Sequence, residues 1–493
     1  MFINRNFSKI NNFFFFTVLS IIVIYGIYLR TKALLNAPDF WFDEIALLNN
    51  ITEKHIWQYC TLLDEDQCCP PLVMIFGKIV YTIFGINETA LKGIGWFFSV
   101  SSLFAFVYLS FIFFNKKLPI IMSTFLFAFS QELINYAGLF KQYSSDCLLT
   151  ILILIFIVHY KNLKDKMNWK HYLYLGIAAV FCAFFSYTAV FLITFYFLIL
   201  TIQEYFENKT INYQKLLCFL IPFLSVTIFL LITTFLPTKN NPGLQQHWNT
   251  LEFFHPNNLK DLKNLMDWII KHQNFQINTL LFLFGCYFSF RKNLTRGLIL
   301  TVPIIFGFIF GFANLYPFSA SRTILYIFPI IYLLLCEPLN YIDFNNRKIL
   351  YINCVLYFLY FYSLDYRLYI NPNTSGLQWT SGDDYLRVLT NEKLEGNEKF
   401  ITVEEQDYPF QELAIKYRKH NLNINPKNIQ KNYEKSKEWE NGTIIYLFIQ
   451  ETIDHPRYIL YSNQSKQFIN EHCQVLNERK GKLGTLVKCK KIR

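Results

Sequence analysis

Four short segments carry ionisable groups beside aromatic side chains in a chain that is otherwise mostly apolar. The first is Asp39-Phe40-Trp41-Phe42-Asp43-Glu44. Asp39 and Asp43 are four residues apart and would share one face of a helix. A carboxylate there can take a proton from a hydroxyl as a general base. Its hard oxygens can also hold a divalent cation, so Asp43 is the candidate for either task, with Glu44 beside it. Composition alone would equally describe a solvated acidic loop. The second segment is Asp64-Glu65-Asp66-Gln67-Cys68-Cys69-Pro70-Pro71-Leu72. Its paired prolines hold the chain extended and then start a helix, because proline suits a first helical position. Read by itself, that is helix punctuation.

The third segment is Phe140-Lys141-Gln142-Tyr143-Ser144-Ser145-Asp146. A Lys and an Asp at membrane depth cost several kcal/mol if unpaired, so a partner or an anionic ligand is expected. Lys binds phosphate as a point charge. The plain alternative is a snorkelling Lys with a helix-capping Asp. The fourth is Tyr316-Pro317-Phe318-Ser319-Ala320-Ser321-Arg322. The planar donor fork of Arg322 suits phosphate oxygens, and the alternative is an Arg anchored at headgroups. Brought together, the cations could neutralise a phosphate leaving group while a carboxylate deprotonates an acceptor. Electrostatic help of that kind often contributes more to catalysis than any other effect.

These residues lie far apart in sequence and need a scaffold. The chain of 493 residues is 53% hydrophobic and contains 53 Phe. Apolar runs long enough to cross a hydrocarbon core of ~30 Å recur along it. Lipid cannot satisfy open backbone groups, so each such run must be a helix. The expected spans are 12–29, 92–114, 118–135, 147–160, 171–185, 188–203, 214–236, 276–290, 297–315, 322–337 and 348–365. The first has no small-residue cleavage site after it and reads as a retained span rather than a signal peptide. Residues 71–85 are short and contain Lys78, which suits an interfacial or re-entrant helix.

Charge tests this division. With residue 1 in the cytoplasm, the inside loops hold Arg5 and Lys9; Lys116 and Lys117; Lys161, Lys164, Lys166 and Lys170; Lys209 and Lys215; Arg291, Lys292 and Arg296; Arg347 and Lys348. Every inside loop is basic, as the positive-inside rule asks. All four chemical segments fall on the other side. The long outer loops are 30–91 and 237–275, with a short amphipathic surface helix at 261–271. The fold class expected is an α-helical polytopic membrane protein of about eleven spans over residues 1–365, with a small α/β extracytoplasmic domain over 366–493. In that domain, 399–403, 443–450, 458–461 and 483–488 read as strands. Residues 383–394, 409–420 and 464–472 read as helices, and 421–437 as a loop.

The net charge of +11 does not indicate nucleic acid, because the basic residues form no aromatic-interleaved stripe. The 11 cysteines match no zinc spacing. Bridges from Cys60 to Cys68 or Cys69, and from Cys473 to Cys489, are left open. The Asn-x-Ser/Thr strings are what an Asn-rich chain contains by chance and carry no functional weight.

In order and spacing the segments resemble the GT-C membrane glycosyltransferases. The likeness is strongest to bacterial members of the dolichyl-phosphate-mannose–protein mannosyltransferase and lipid A aminoarabinose transferase group. The matching stretches are Phe40-Trp41-Phe42-Asp43-Glu44, Asp66-Gln67 with Pro70-Pro71-Leu72, Phe84-Gly85-Ile86-Asn87-Glu88 leading to Ala90-Leu91-Lys92, Lys141-Gln142-Tyr143-Ser144-Ser145-Asp146, and Tyr316-Pro317-Phe318 with Arg322 and Pro329. They span roughly residues 10–340. The resemblance implies an inner-membrane enzyme whose donor is a sugar on a polyprenyl phosphate. Its active site would face the periplasm, and its acceptor would be a lipid, a glycan or a protein. It implies inversion at the anomeric carbon, with Asp43 as base or metal-site residue, Glu44 beside it, and Lys141 and Arg322 on the donor phosphate. Asp66, Tyr143, Asp146 and Tyr316 would bind substrate. No cofactor is implied beyond a divalent metal ion that Asp43 could hold. Two departures stand out: Lys92 where related chains usually have Arg, and Leu139 where many have Glu.

Two other classes fit part of the pattern. A transporter or flippase for a lipid-linked sugar predicts ionisable groups near midplane and two related halves, and the sequence has few of the first and no echo of the second. A polyprenyl-diphosphate glycan polymerase or ligase would use the same outer-face charges with a different leaving group.

Overall fold

The computed structural model describes residues 9–36, 40, 42–64, 67–210, 212–245, 275–318, 322–341, 399–401, 429–430, 439–450, 466–480 and 484–492. Asp39, Trp41, Asp66, the surface helix 261–271, the span 348–365, the helices 383–394 and 409–420 and the strand 458–461 lie outside them. The chain divides into two compact units, residues 1–38 with 54–372, and residues 39–53 with 373–493.

The first unit is helical. Its elements are α1 (Lys9–Asn36), α3 (Pro71–Phe84), α4 (Glu88–Phe113), α5 (Lys117–Ala128), α6 (Gln131–Asn135), α7 (Tyr143–Leu163), α8 (Trp169–Phe185), α9 (Tyr187–Asn208), α10 (Tyr213–Leu230), α11 (Leu236–Asn240), α12 (Phe275–Lys292), α13 (Leu294–Phe312) and α14 (Phe328–Cys336), while α2 (Phe42–Glu53) belongs to the second unit. Among the described residues seven helices are long and apolar enough to cross a bilayer. The pair Lys117–Ala128 and Gln131–Gly138, bent by 49°, would make an eighth. The protein is therefore an integral membrane protein. Several of these helices start on an Asn or Ser whose side chain accepts a backbone N–H. Asn87 does so for α4, Asn168 for α8, Ser186 for α9, Asn212 for α10 and Asn293 for α13. Two of the Asn-x-Thr strings, at Asn87 and Asn293, are thus helix caps.

The expected span 118–135 is not one continuous helix. It breaks after Ala128, and Ser130 caps the second piece by accepting the Leu133 N–H. A break leaves the last carbonyls of α5 without intrahelical donors. Arg30, fully buried on α1, donates to the Phe127 and Ala128 carbonyls at 3.1 and 2.8 Å, and to the Ser99 hydroxyl at 3.0 Å. Its charge suits a helix C-terminus. One side chain therefore ties α1, α4 and the broken helix together. The expected span beginning at Cys147 starts earlier, at Tyr143, so Tyr143–Asp146 form its first turn.

Helix ends that the charge alternation puts on one side meet one another. At the basic-loop end, Arg296 of α13 pairs with the buried Glu337 at 2.6 Å and donates to the Phe113 carbonyl of α4 at 3.2 Å. Lys164 pairs with Glu207 at 2.5 Å, and the Asn115 N–H donates to Asn340 at 3.1 Å. The Tyr160 and Tyr172 hydroxyls meet at 2.7 Å. At the opposite, motif-bearing end, the Tyr187 hydroxyl donates to the Cys69 carbonyl at 3.0 Å and the Thr234 hydroxyl to the Cys60 carbonyl at 3.0 Å. The apolar core of this unit runs through α1, α4, α5, α7 and α14. Close packing there uses small residues. At Gly95 on α4 a Cβ would sit 2.1 Å from the Leu139 carbonyl oxygen.

The second unit holds α2 and a five-stranded sheet of order β2-β1-β3-β5-β4, with β1 (Lys399–Ile401), β2 (Ile429–Gln430), β3 (Ile444–Gln450), β4 (Cys473–Lys480) and β5 (Gly484–Lys491). β1 runs parallel to β2 and β3, and β5 lies antiparallel between β3 and β4. A short helix over 466–472 leads into β4. The strand β4 was not visible in the sequence, because Asn477, Glu478, Arg479 and Lys480 break the apolar run. Strand β2 lies inside the stretch read as a loop.

Candidate active site

Lys141 and Arg322, distant in sequence, reach the same end of α7 by different routes. The broken helix delivers Lys141. After α6 the chain makes a 3-10 turn over Tyr136–Gly138, and Leu139 and Phe140 bury themselves. Gly95 lets α4 approach the Leu139 carbonyl, which fixes the strand of chain just before Lys141. Lys141 is buried, and its ammonium donates to the Gln67 side-chain oxygen at 2.6 Å. The Gln142 amide donates to the Cys68 carbonyl at 3.5 Å. The loop 67–69 is therefore clamped from two sides, by the start of α7 and by Tyr187 of α9.

Arg322 opens a 3-10 turn, Arg322–Ile327, that leads into α14. Its guanidinium carbon stands 5.7 Å from the centre of the Tyr143 ring. That turn is held by Tyr316, whose hydroxyl donates to the Thr323 carbonyl at 3.0 Å, and by the Thr323 hydroxyl, which donates to the Pro317 carbonyl at 2.7 Å. The Tyr316 hydroxyl thus acts on the backbone that carries Arg322.

The first turn of α7 adds a field of its own. The first N–H groups of a helix have no intrahelical acceptor. Gln142, in the N-cap position, supplies no side-chain cap. A helix start of this kind favours anions through its dipole. Lys141 precedes it and Arg322 lies over its first residue. In the same turn, Asp146 is buried, and its Oδ1 has no hydrogen-bond partner. Cys68 and Cys69 lie near both Lys141 and Asp146. Burial pushes the Cys68 thiol up to about 11 and Cys69 higher still, so both stay protonated and inert as nucleophiles.

Lys141, Tyr143, Asp146, Tyr316 and Arg322 thus gather in the first unit. Asp43 and Glu44 are buried in the first turn of α2, in the second unit. Asp66 lies outside the described residues. A divalent metal ion that Asp43 could hold would have Glu44 next to it in the chain. Among the described residues no group of three or more His, Cys, Asp and Glu gathers that could hold a metal ion. Gln67, Gln142 and Tyr187 were not singled out as site residues. Gln67 could have been, since it adjoins Asp66 in a matching motif, whereas nothing in the spacing points to Tyr187.

This architecture has known counterparts. ArnT from Cupriavidus metallidurans, solved bound to undecaprenyl phosphate, aligns over 95% of this chain and 97% of its own, at 9% identity and a TM-score of 0.52. Its apo structure gives the same coverage at 10% identity and a TM-score of 0.54. The archaeal oligosaccharyltransferase AglB from Archaeoglobus fulgidus, in complex with an inhibitory peptide and a dolichol-phosphate, aligns over 90% of this chain and 70% of its own, at 12% identity and a TM-score of 0.51. No protein-family model matches the chain, and no curated protein matches it in sequence. At these identities the likeness is one of architecture. The chain has the GT-C fold that its motifs resemble.

Proposed function

We propose that the protein transfers a sugar from a polyprenyl-phosphate donor to a lipid, glycan or protein acceptor, at the extracytoplasmic face of a bacterial inner membrane. The observation that carries this is the gathering of Lys141, Arg322 and the uncapped start of α7 at one end of a helical unit with the GT-C fold. Two cations and the positive end of a helix dipole suit a phosphate, and the helices that carry them are apolar, as a prenyl chain asks. That two structural neighbours were solved with a polyprenyl phosphate supports the donor class.

In this reading Lys141 and Arg322 bind the donor phosphate and stabilise the charge that grows on it as the glycosidic bond breaks. The acceptor hydroxyl oxygen forms the new bond to the anomeric carbon, the phosphate departs from the opposite side, and configuration inverts. The Oδ1 of Asp146 accepts a hydrogen bond from a sugar hydroxyl, which would satisfy a buried oxygen that has no other partner. For Asp43 the role of general base rests on the motif it shares with the family. Asp43→Asn should keep expression and membrane insertion and lower transfer by ~10²–10⁴-fold, the range for a positioned base. Near-normal turnover in that variant would remove Asp43 from the mechanism. Transport of a lipid-linked sugar in vesicles without bond formation would favour the flippase reading instead.

A further inference from the structure

An apolar cavity of about 270 Å³ lies outside the candidate active site, walled by α7, α8, α9 and α10 of the first unit. Its two ends differ. Toward the motif-bearing end the walls are Leu149, Cys182 and Ile193. Toward the basic-loop end they are Tyr160, Tyr172, Glu204 and Lys215, with the two tyrosine hydroxyls bonded to each other. On α7 the wall runs from Leu149 to Tyr160, about 16 Å of helix. That is the depth of one leaflet of a ~30 Å hydrocarbon core. Leu152 and Ala178 on these walls are exposed among the described residues, so the cavity is open toward the hydrocarbon there. An apolar space holds no ordered water, and left empty its walls lose their contacts. Lipid is the solvent that fills it.

The polar end carries charge. Glu204 and Lys215 are both half-buried. Among the described residues neither makes an ion pair, in contrast to Lys164 with Glu207. The Lys215 ammonium stands 5.4 Å from the centre of the Tyr172 ring. Asn212, which caps α10, also lines this end, so the positive end of that helix dipole adds to Lys215. Charges at such depth call for partners. A cation and a carboxylate at one mouth, not joined to each other, fit a headgroup that bears both signs.

We propose that this cavity holds one acyl chain of an aminophospholipid from the leaflet at the basic-loop end, with the lipid phosphate on Lys215 and the headgroup ammonium on Glu204. A prenyl tail descending from a phosphate at the motif-bearing end would instead lay hydrocarbon against both charges, which is costly for groups left unpaired. Occupancy of the cavity does not depend on sugar transfer, so either can fail alone.

The test uses the full chain in bilayer nanodiscs with phosphatidylethanolamine that carries a photoreactive group on its acyl chain. After irradiation the labelled peptides are mapped. The expected result is label on the walls at Leu152 and Ala178, displaced by unlabelled phosphatidylethanolamine about tenfold better than by phosphatidylglycerol of the same chains. Lys215→Glu should cut that label about tenfold, and Lys215→Arg should keep it. Glu204→Gln should erase the preference between the two headgroups. Ala178→Trp fills the cavity from an exposed position and should remove the label. If Lys215→Glu does not fold, Glu204→Gln and Ala178→Trp decide the case. Label spread evenly over the outer faces of the helices, or unchanged in Ala178→Trp, overturns the proposal. So does a photoreactive prenyl phosphate that marks these walls in place of the phospholipid, and a headgroup preference that survives Glu204→Gln overturns the assignment of the ammonium.

Discussion

The two ends of the helical unit are built differently. At the basic-loop end, spans join through short connections, residues 114–116 between α4 and α5, 209–212 between α9 and α10, and Asn293 alone between α12 and α13. Cations there meet carboxylates, as in Arg296 with Glu337 and Lys164 with Glu207. At the motif-bearing end the backbone is irregular. It has the break after Ala128, 3-10 turns over Tyr136–Gly138 and Arg322–Ile327, and a π-helical turn over Leu231–Phe235. Irregular backbone at membrane depth exposes groups that lipid cannot satisfy, so it survives only where protein buries it or where it lines a cavity. The contrast is what the proposed function asks for, one end to hold the bundle and another to aim side chains. Both ends have 3-10 turns, at the basic-loop end over Lys164–Lys166 and Glu337–Tyr341, but among the described residues the break within an expected span and the π-helical turn lie at the end that carries Lys141, Tyr143 and Arg322.

Substitutions can break this division or sharpen it. The largest effect is expected for Arg322→Ala, which should lower donor-dependent transfer by about 10³-fold, or ~4 kcal/mol of transition-state stabilisation, at unchanged melting temperature. If donor dependence is unaltered, Arg322 makes no phosphate contact and the motif end loses half its argument. Next comes Arg296→Ala at the other end. It leaves Glu337 buried without its cation and should cost ~3 kcal/mol of stability, with turnover per folded molecule preserved. Loss of transfer at full stability would show that the basic-loop end also serves chemistry. Gly95→Leu should cost ~2 kcal/mol through overpacking against the Leu139 carbonyl, and should reduce transfer beyond that loss because the neighbouring Lys141 shifts. Equal losses in the two measurements would reduce Gly95 to packing alone. The smallest effect belongs to Lys164→Ala, whose partner Glu207 is 39% exposed. Such a pair is worth ~0.5 kcal/mol, and a thermal melt in detergent should barely register the change.

Part of the candidate site was legible in the residue types, for identifiable reasons. Lys141 and Arg322 announced themselves because a cation beside a greasy run is costly and calls for a partner. Tyr316 was marked by its motif, yet its hydroxyl turned out to hold the turn that carries Arg322. Arg30 escaped notice as a working residue because it sits at the end of an apolar run, where a snorkelling cation is expected. Its actual partners are carbonyls on a helix 97 and 98 residues away in sequence. The break of the expected span 118–135 was hidden too, since hydropathy reads apolar content and is blind to a change of axis. Strand β4 was missed because polar residues crowd its second half, where pairing with β5 and not apolar alternation sets the structure.

The sequence by itself determined that the chain crosses a membrane many times, which loops are basic, and which short segments carry charge at the opposite side. These are properties of local composition, because the bilayer judges each run of ~20 residues separately. Only the tertiary structure decided that Lys141 lies on Gln67, that Arg322 stands over Tyr143, and that β4 pairs with β5. Those are meetings between distant parts of the chain. They depend on helix breaks, close approaches at glycine and strand register, which packing sets and no local window of residues records.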